Sequence, residues 1–221
     1  MRKVVSLMGA VLGLAIVQSA SAADLPTKAP LMAPAAPVSW TGFYVGVHAG
    51  AGWSHIESSF PASGFVFSSH DLTGAFAGAQ VGYNWQNGWA VWGLELNGSG
   101  SNIKGTGLCL FGNCTTKQDW LGNATIRFGG LVNNSTLVYV KGGAAWSKDK
   151  YSSTFVTTPV GDTRTGWLGG FGTEYKFDPR WSGLIEYNYV DYGTDTVTVG
   201  IPVNIKHIDH TVRFGLNYKL F

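Results

Sequence analysis

The sequence predicts an all-β fold, an eight-stranded antiparallel up-and-down transmembrane β-barrel. Three observations carry that expectation. Long stretches alternate between large apolar residues and small or polar ones with a period of two. The connections between these stretches alternate strictly between long and short. Trp and Tyr gather at the ends of the stretches. A two-residue period places successive side chains on opposite faces of a strand. Sorted loops and aromatic girdles are what a membrane barrel shows, with short periplasmic turns and longer external connections. The alternative fold is a soluble sandwich, which would bury the apolar faces against a second sheet. It has no reason to sort its loops.

Composition agrees. The 221 residues suffice for one sizeable domain or two small ones. Charged residues make up only 13% and aromatics 14%, with 31 glycines. That balance suits a β chain whose outer face is not all in water. After the N-terminus no apolar run is long enough to cross a bilayer as a helix. Met1 to Ala22 reads as a secretory signal: Arg2 and Lys3, an apolar run from Val4 to Val17, then Ala20-Ser21-Ala22 as the cleavage site. Its removal takes the formal charge from +2 to zero. No basic patch argues for nucleic acid. Residues 23–40 hold Pro26, Pro30, Pro34 and Pro37 and read as an extended periplasmic spacer. The barrel is expected over residues 41–221.

The strands follow in order. In the first, Phe43, Val45, Val47, Ala49, Ala51 and Trp53 oppose Gly42, Tyr44, Gly46, His48, Gly50 and Gly52. In the second, Ala75, Ala77, Ala79, Val81, Tyr83 and Trp85 oppose Phe76, Gly78, Gln80, Gly82 and Asn84. Asn87-Gly88 is a strong hairpin signal, and it leads to a third strand with Trp92, Leu94 and Leu96 outward and Glu95 inward. The fourth carries Trp120, Ala124, Ile126 and Phe128 against Arg127. The fifth sets Val138, Val140, Ala144 and Trp146 against Tyr139 and Lys141. The sixth sets Trp167, Phe171 and Tyr175 against Gly170, Gly172 and Glu174. Asp178-Pro179-Arg180 is a tight turn. In the seventh, Ile185, Tyr187 and Tyr189 oppose Glu186 and Asn188. The eighth alternates Val212, Phe214, Leu216, Tyr218 and Leu220 with Arg213, Gly215, Asn217 and Lys219. Each runs about 9–11 residues, the length a tilted strand needs to cross a bilayer. Long loops are expected near 54–72, 98–118, 147–164 and 193–208, opposite both termini.

Trp40-Thr41-Gly42-Phe43-Tyr44-Val45-Gly46, after a Pro/Ala-rich leader, resembles the start of the small outer-membrane proteins of alphaproteobacteria. Trp92-Gly93-Leu94-Glu95, Tyr139-Val140-Lys141-Gly142-Gly143, Glu174-Tyr175 and Arg213-Phe214-Gly215-Leu216-Asn217-Tyr218 resemble later strands of that family. Its members are called porin-like or outer-membrane immunogenic proteins and are similar to the barrel domain of the OmpA type. The resemblance covers about residues 40–221. It implies a place in the outer membrane, among its lipids and lipopolysaccharide, and assembly by the barrel-assembly machinery through a terminal aromatic. Phe221, out of phase with Tyr218, is expected to face inward or to follow a bulge.

Candidate functional residues follow from the faces. The inward set contains Glu95, Arg127, Lys141, Glu174, Glu186, Arg213 and Lys219. Charges enclosed away from water are costly unless paired. The expectation is therefore a lumen charge network, and the sharper alternative is a narrow gated path for water or ions. Trp53, Trp85, Trp120, Trp146, Trp167, Trp181 and Tyr218 are expected at the two membrane interfaces. Cys109 and Cys114, in an exported chain, read as a disulfide closing a small loop. His55, His70, Asp71, His207, Asp209 and His210 sit in or near long loops, where exposed polar loops are the plain reading and an acid–base cluster the sharp one. No cofactor, metal site or catalytic residue is assigned. The function expected is a structural or surface-interaction barrel of the cell envelope, with a small porin as the alternative. The loops name no ligand.

Overall fold

The computed structural model describes residues 39–61, 63–109, 112–153, 160–199 and 201–220. The expected signal and nearly all of the spacer lie outside the described residues, as does Phe221. Among the described residues nine strands occur: β1 (Gly42–Ser59), β2 (Val66–Asn87), β3 (Ala90–Ser101), β4 (Lys104–Cys109), β5 (Gly112–Asn133), β6 (Thr136–Ser153), β7 (Val160–Lys176), β8 (Trp181–Val199) and β9 (Ile201–Lys219). β4 resumes the path of β3 after a break at Asn102-Ile103, pairing with β2 at Thr73 and with β5 from Lys117 to Gly112. The ring therefore has eight members. β1 closes it on β9, with Tyr44 opposite Lys219 and Trp53 opposite His210. Closure leaves no unpaired edge, which a lipid environment would penalise.

Short hairpin loops join the strands at one end. At the first, Gly88 has φ of 60°, the left-handed conformation a two-residue loop needs. By the loop rule this is the periplasmic end. The outward face is apolar: Val47, Leu96, Ile126, Val140, Phe171 and Phe214 are all exposed. In water such a surface would be a liability; in lipid it is the solvent-matched side. Two aromatic levels bound it. Trp85 stacks on Trp92 at 5.0 Å and Trp181 meets Tyr218 at 4.9 Å near the periplasmic turns. At the outer level Trp53 stacks on His210 at 5.7 Å and Trp167 meets Tyr189 at 5.4 Å, while Trp120 is exposed and Trp146 half-buried. Phe43 to Trp53 spans these levels, a height of about 25 Å at the usual rise and tilt.

The expected long loops are largely strand instead. β1 continues to Ser59 and β2 begins at Val66, so the first loop shrinks to residues 60–65. β5, β6, β8 and β9 likewise project past the outer aromatic level. Above the membrane both faces of a hairpin meet polar surroundings, so apolar alternation stops although backbone pairing continues. That is why the strands look shorter in the sequence than they are. Cys109 and Cys114 fall in the β4–β5 hairpin by backbone, but their side chains lie outside the described residues.

Candidate functional site

Alternation drives one face of every strand into the lumen, and an eight-stranded ring is just wide enough for side chains to fill it. The filling is layered. At mid-height four strands contribute one charge each. Glu95 of β3 meets Lys141 of β6 at 3.1 Å and Arg213 of β9 at 2.6 Å. Glu186 of β8 meets the same Lys141 at 3.0 Å and Arg213 Nε at 2.8 Å. The result is a closed ring of alternating charge across the bore, with each of these side chains 1–3% exposed.

Below it, toward the periplasm, Arg127 donates from Nη1 to Glu174 at 2.9 Å and from Nε to Asn84 at 2.9 Å. Glu174 also accepts from Ser182 at 2.5 Å and Asn217 at 3.0 Å. The Arg127 guanidinium is sandwiched between the rings of Tyr44 and Tyr139, at 4.9 and 5.1 Å. Those two phenols tie the layers together. Tyr44 donates to Glu95 and Tyr139 to Glu186, each at 2.9 Å. Three carboxylates thus face three cations with further donors on their oxygens, the condition under which buried charge is tolerated.

Both rings need an empty position beside them. Tyr44 lies opposite Gly82, where an added Cβ would come 2.3 Å from the phenol oxygen. Tyr139 lies opposite Gly172, where a Cβ would fall 2.9 Å from its oxygen and 2.7 Å from the Ile185 carbonyl. Gly82→Ala is expected to push Tyr44 off Glu95 and cost about 1–3 kcal/mol, the usual range for overpacking. Urea titration of the barrel in lipid vesicles checks this; an unchanged midpoint would show that the ring is not held there.

At the periplasmic mouth the network ends in a plug. Trp40 is buried with Val91, Leu137 and Tyr139, under the Lys176 ammonium at 4.4 Å. Lys219, expected to meet a lumen carboxylate, instead donates to the Ser39 carbonyl at 2.9 Å, and Lys176 donates to the same oxygen at 2.7 Å. Lys219 sits at the end of β9, at the periplasmic mouth where Ser39 lies.

Above the charged ring His48 bonds Gln80 and Ser99, the latter at 2.7 Å. Next comes a space of about 40 Å³ lined by His48, Phe76, Ser99, Asp209 and Arg213 among others, room for a few waters at most. The lumen then closes a second time, beyond the outer aromatic level. His207 Nε2 lies 2.8 Å from Asp209, and its Nδ1 lies 3.5 Å from Asp149. Arg164 approaches Asp149 at 3.6 Å and Asp195 at 3.7 Å, and Gln118 donates to Asp209 at 2.8 Å. Burial disfavours the imidazolium, but Asp209 and Asp149 outweigh it and raise the His207 pKa to about 9.

The loop histidines do not form one constellation. His207 and Asp209 point into the lumen. His210 faces outward, stacked on Trp53 and bonded to the Tyr187 hydroxyl at 2.7 Å. His55 pairs outward with Asp71 at 2.7 Å. Sequence reasoning set Tyr44 and Tyr139 on the inward face but left them out of the charge network, although a large residue on an otherwise small face was the available signal. It also missed Arg164 and Asp149, which lay in stretches read as loop.

The profile of the outer membrane protein beta-barrel domain matches residues 10–219. The chain belongs to this family. It is 37% identical over 229 aligned residues to the 31 kDa outer-membrane immunogenic protein of Brucella melitensis, covering 91% of this chain and 93% of that one. Two solved structures share the architecture. The outer membrane protein OprG from Pseudomonas aeruginosa superposes with a TM-score of 0.50 at 12% identity, over 81% of this chain and 97% of that one. The outer membrane protease OmpT from Escherichia coli gives 0.53 at 8% identity, over 82% and 98%. At such identities the likeness speaks for fold alone. This family member is an integral outer-membrane β-barrel, akin to the alphaproteobacterial immunogenic proteins.

Proposed function

We propose that this outer-membrane protein is a closed structural barrel that contributes to envelope integrity and presents its outer hairpins to the surroundings. The reading is non-catalytic. One observation carries it: the ring of Glu95, Lys141, Glu186 and Arg213 ties four strands together across the bore. Closures on both sides support it, Trp40 below and the His207–Asp209–Gln118 layer above. A small porin is the competing reading, because its relatives share a barrel that in principle encloses a path. Planar-bilayer recording decides between them. The refolded protein is expected to give no single-channel steps at neutral pH, and regular steps from pure protein would establish the porin instead.

Residues 1–22 act, on this proposal, as an export signal removed after Ala22, with residues 23–40 as the spacer and the barrel over 41–221. Cys109 and Cys114 form a disulfide within the β4–β5 hairpin. The barrel-assembly machinery inserts the chain. The proposal includes a catalytic role for none of the loop histidines. His207, the best placed for acid–base chemistry, is fully buried beneath its partners and offers no surface to a substrate.

A further inference from the structure

The outer rim of the barrel wall is charged unevenly. On β4, β5 and β6 three lysines stand side by side in register: Lys104 opposite Lys117, and Lys117 opposite Lys150. Lys148, opposite Trp120, lies one step nearer the membrane. All four are exposed. Their orientation follows from register. Trp120 and Lys148 face outward, and a bulge between Gln118 and Trp120 keeps Gln118 and Asp149 inward, so Lys117 and Lys150 face outward again. Like charges directly opposite on neighbouring strands, only about 5 Å apart, destabilise a sheet. One carboxylate answers them: Asp119, at the bulge, lies 2.9 Å from Lys117 and 2.5 Å from Lys150. On the strands that follow round the ring the rim is balanced. His55 of β1 pairs with Asp71 of β2, two residues beyond Thr73, the partner of Lys104, and farther round Glu57 of β1 stands opposite Lys206 of β9.

Height gives this ridge its meaning. Trp120 and Lys148 mark the outer aromatic level, where an amphipathic ring sits among headgroups. Lys104, Lys117 and Lys150 lie two to three residues farther out, about 5–7 Å higher on a tilted strand. Flexible ammonium stems at that height reach the phosphates of the outer leaflet while their methylenes stay against the wall. We propose that the Lys104–Lys117–Lys150 ridge, with Lys148 below it, binds the phosphate groups of an anionic lipid of the outer leaflet. The repulsion within the ladder is relieved by the phosphate, and Asp119 competes with it for Lys117 and Lys150. The inference does not depend on whether the lumen conducts.

The test uses the full refolded barrel in neutral detergent, titrated with bis-phosphorylated lipid A, with the lipid lacking both phosphates, and with inorganic phosphate. Retained lipid is read by native mass spectrometry, and folded protein by its migration on an unheated gel. Wild type is expected to retain lipid A and not its dephosphorylated form. Inorganic phosphate at matched concentration is expected not to displace it. The triple variant Lys104→Gln/Lys117→Gln/Lys150→Gln is expected to weaken retention on the order of 100-fold, roughly fivefold for each lysine near an anionic surface. Lys206→Gln, on the balanced side, is expected to change it less than twofold. Asp119→Asn is expected to strengthen retention, which keeps the proposal testable if the triple variant folds poorly. Equal retention by wild type and triple variant, an equal loss in Lys206→Gln, or weaker retention in Asp119→Asn would each overturn it. Displacement by inorganic phosphate would show a general anion site rather than a lipid one.

Discussion

Glu186→Leu is expected to lower the unfolding free energy of the barrel by about 3–5 kcal/mol, the cost of leaving a buried cation without its partner. Glu186 accepts from Lys141, Arg213 and Tyr139. Its loss leaves two cations sharing Glu95 alone, in a bore that admits few waters. Leucine has a similar size, so packing contributes little and the effect isolates charge. The paired variant Glu186→Leu/Lys141→Met removes one charge of each sign and leaves Glu95 with Arg213. It is expected to recover most of the loss, since an apolar pair can replace a buried ion pair at little cost. Equilibrium urea titration in lipid vesicles, run as a double-mutant cycle, measures both. A Glu186→Leu midpoint within 1 kcal/mol of wild type would show the ring to be wet and energetically slack.

The second large effect depends on pH. His207 has its folded pKa raised to about 9 from an ordinary value near 6.5. A raised pKa means the folded state binds the proton more tightly. The stabilisation is complete below about pH 6.5, where both states are protonated, and disappears as pH climbs through about 9. Two and a half units correspond to about 3 kcal/mol. Asp209 works in the opposite sense. Despite burial, its pKa is lowered by His207, Ser54 and Gln118, so its contribution is present above pH 3.8 and fails as pH falls below it. The outer closure is therefore firmest between about pH 4 and pH 6.5. The groups facing His207 are Asp149, Asp209, Gln118, His70 and the Tyr192 ring at 5.3 Å. His207→Gln is expected to abolish the decline in stability between pH 6.5 and 9.5. Urea midpoints at half-unit intervals read this out, and a variant that keeps the wild-type slope would assign the decline to another group.

Much of the barrel was legible because one physical rule writes it twice. Lipid outside and packed side chains inside impose opposite demands on alternate residues, so strand identity, facing and order could all be read between Phe43 and Leu220. The same rule fell silent above the membrane, where β1 continues from Ser54 to Ser59 with no apolar face to reveal it. The inward charges were legible as a set but not as pairs. That Arg213 bridges Glu95 and Glu186 while Lys219 turns to Ser39 depends on stagger around the ring. Stagger is a three-dimensional property that no single strand records. Gly82 and Gly172 read as small lumen residues, and their role as seats for Tyr44 and Tyr139 emerged only from cross-strand register.

Lys176 and Lys219 grip one carbonyl, that of Ser39. The last of these bonds joins positions 180 residues apart, so the grip can form only after the last strand has come round to the first. Ser39 is therefore a latch on the finished seam. It sets late in folding, when the most costly loop closure has already been made. A chain stalled with β1 and β9 unzipped would leave two ammonium groups and the Trp40 indole exposed at the periplasmic rim. A half-inserted barrel would thus carry a signature that the completed one conceals.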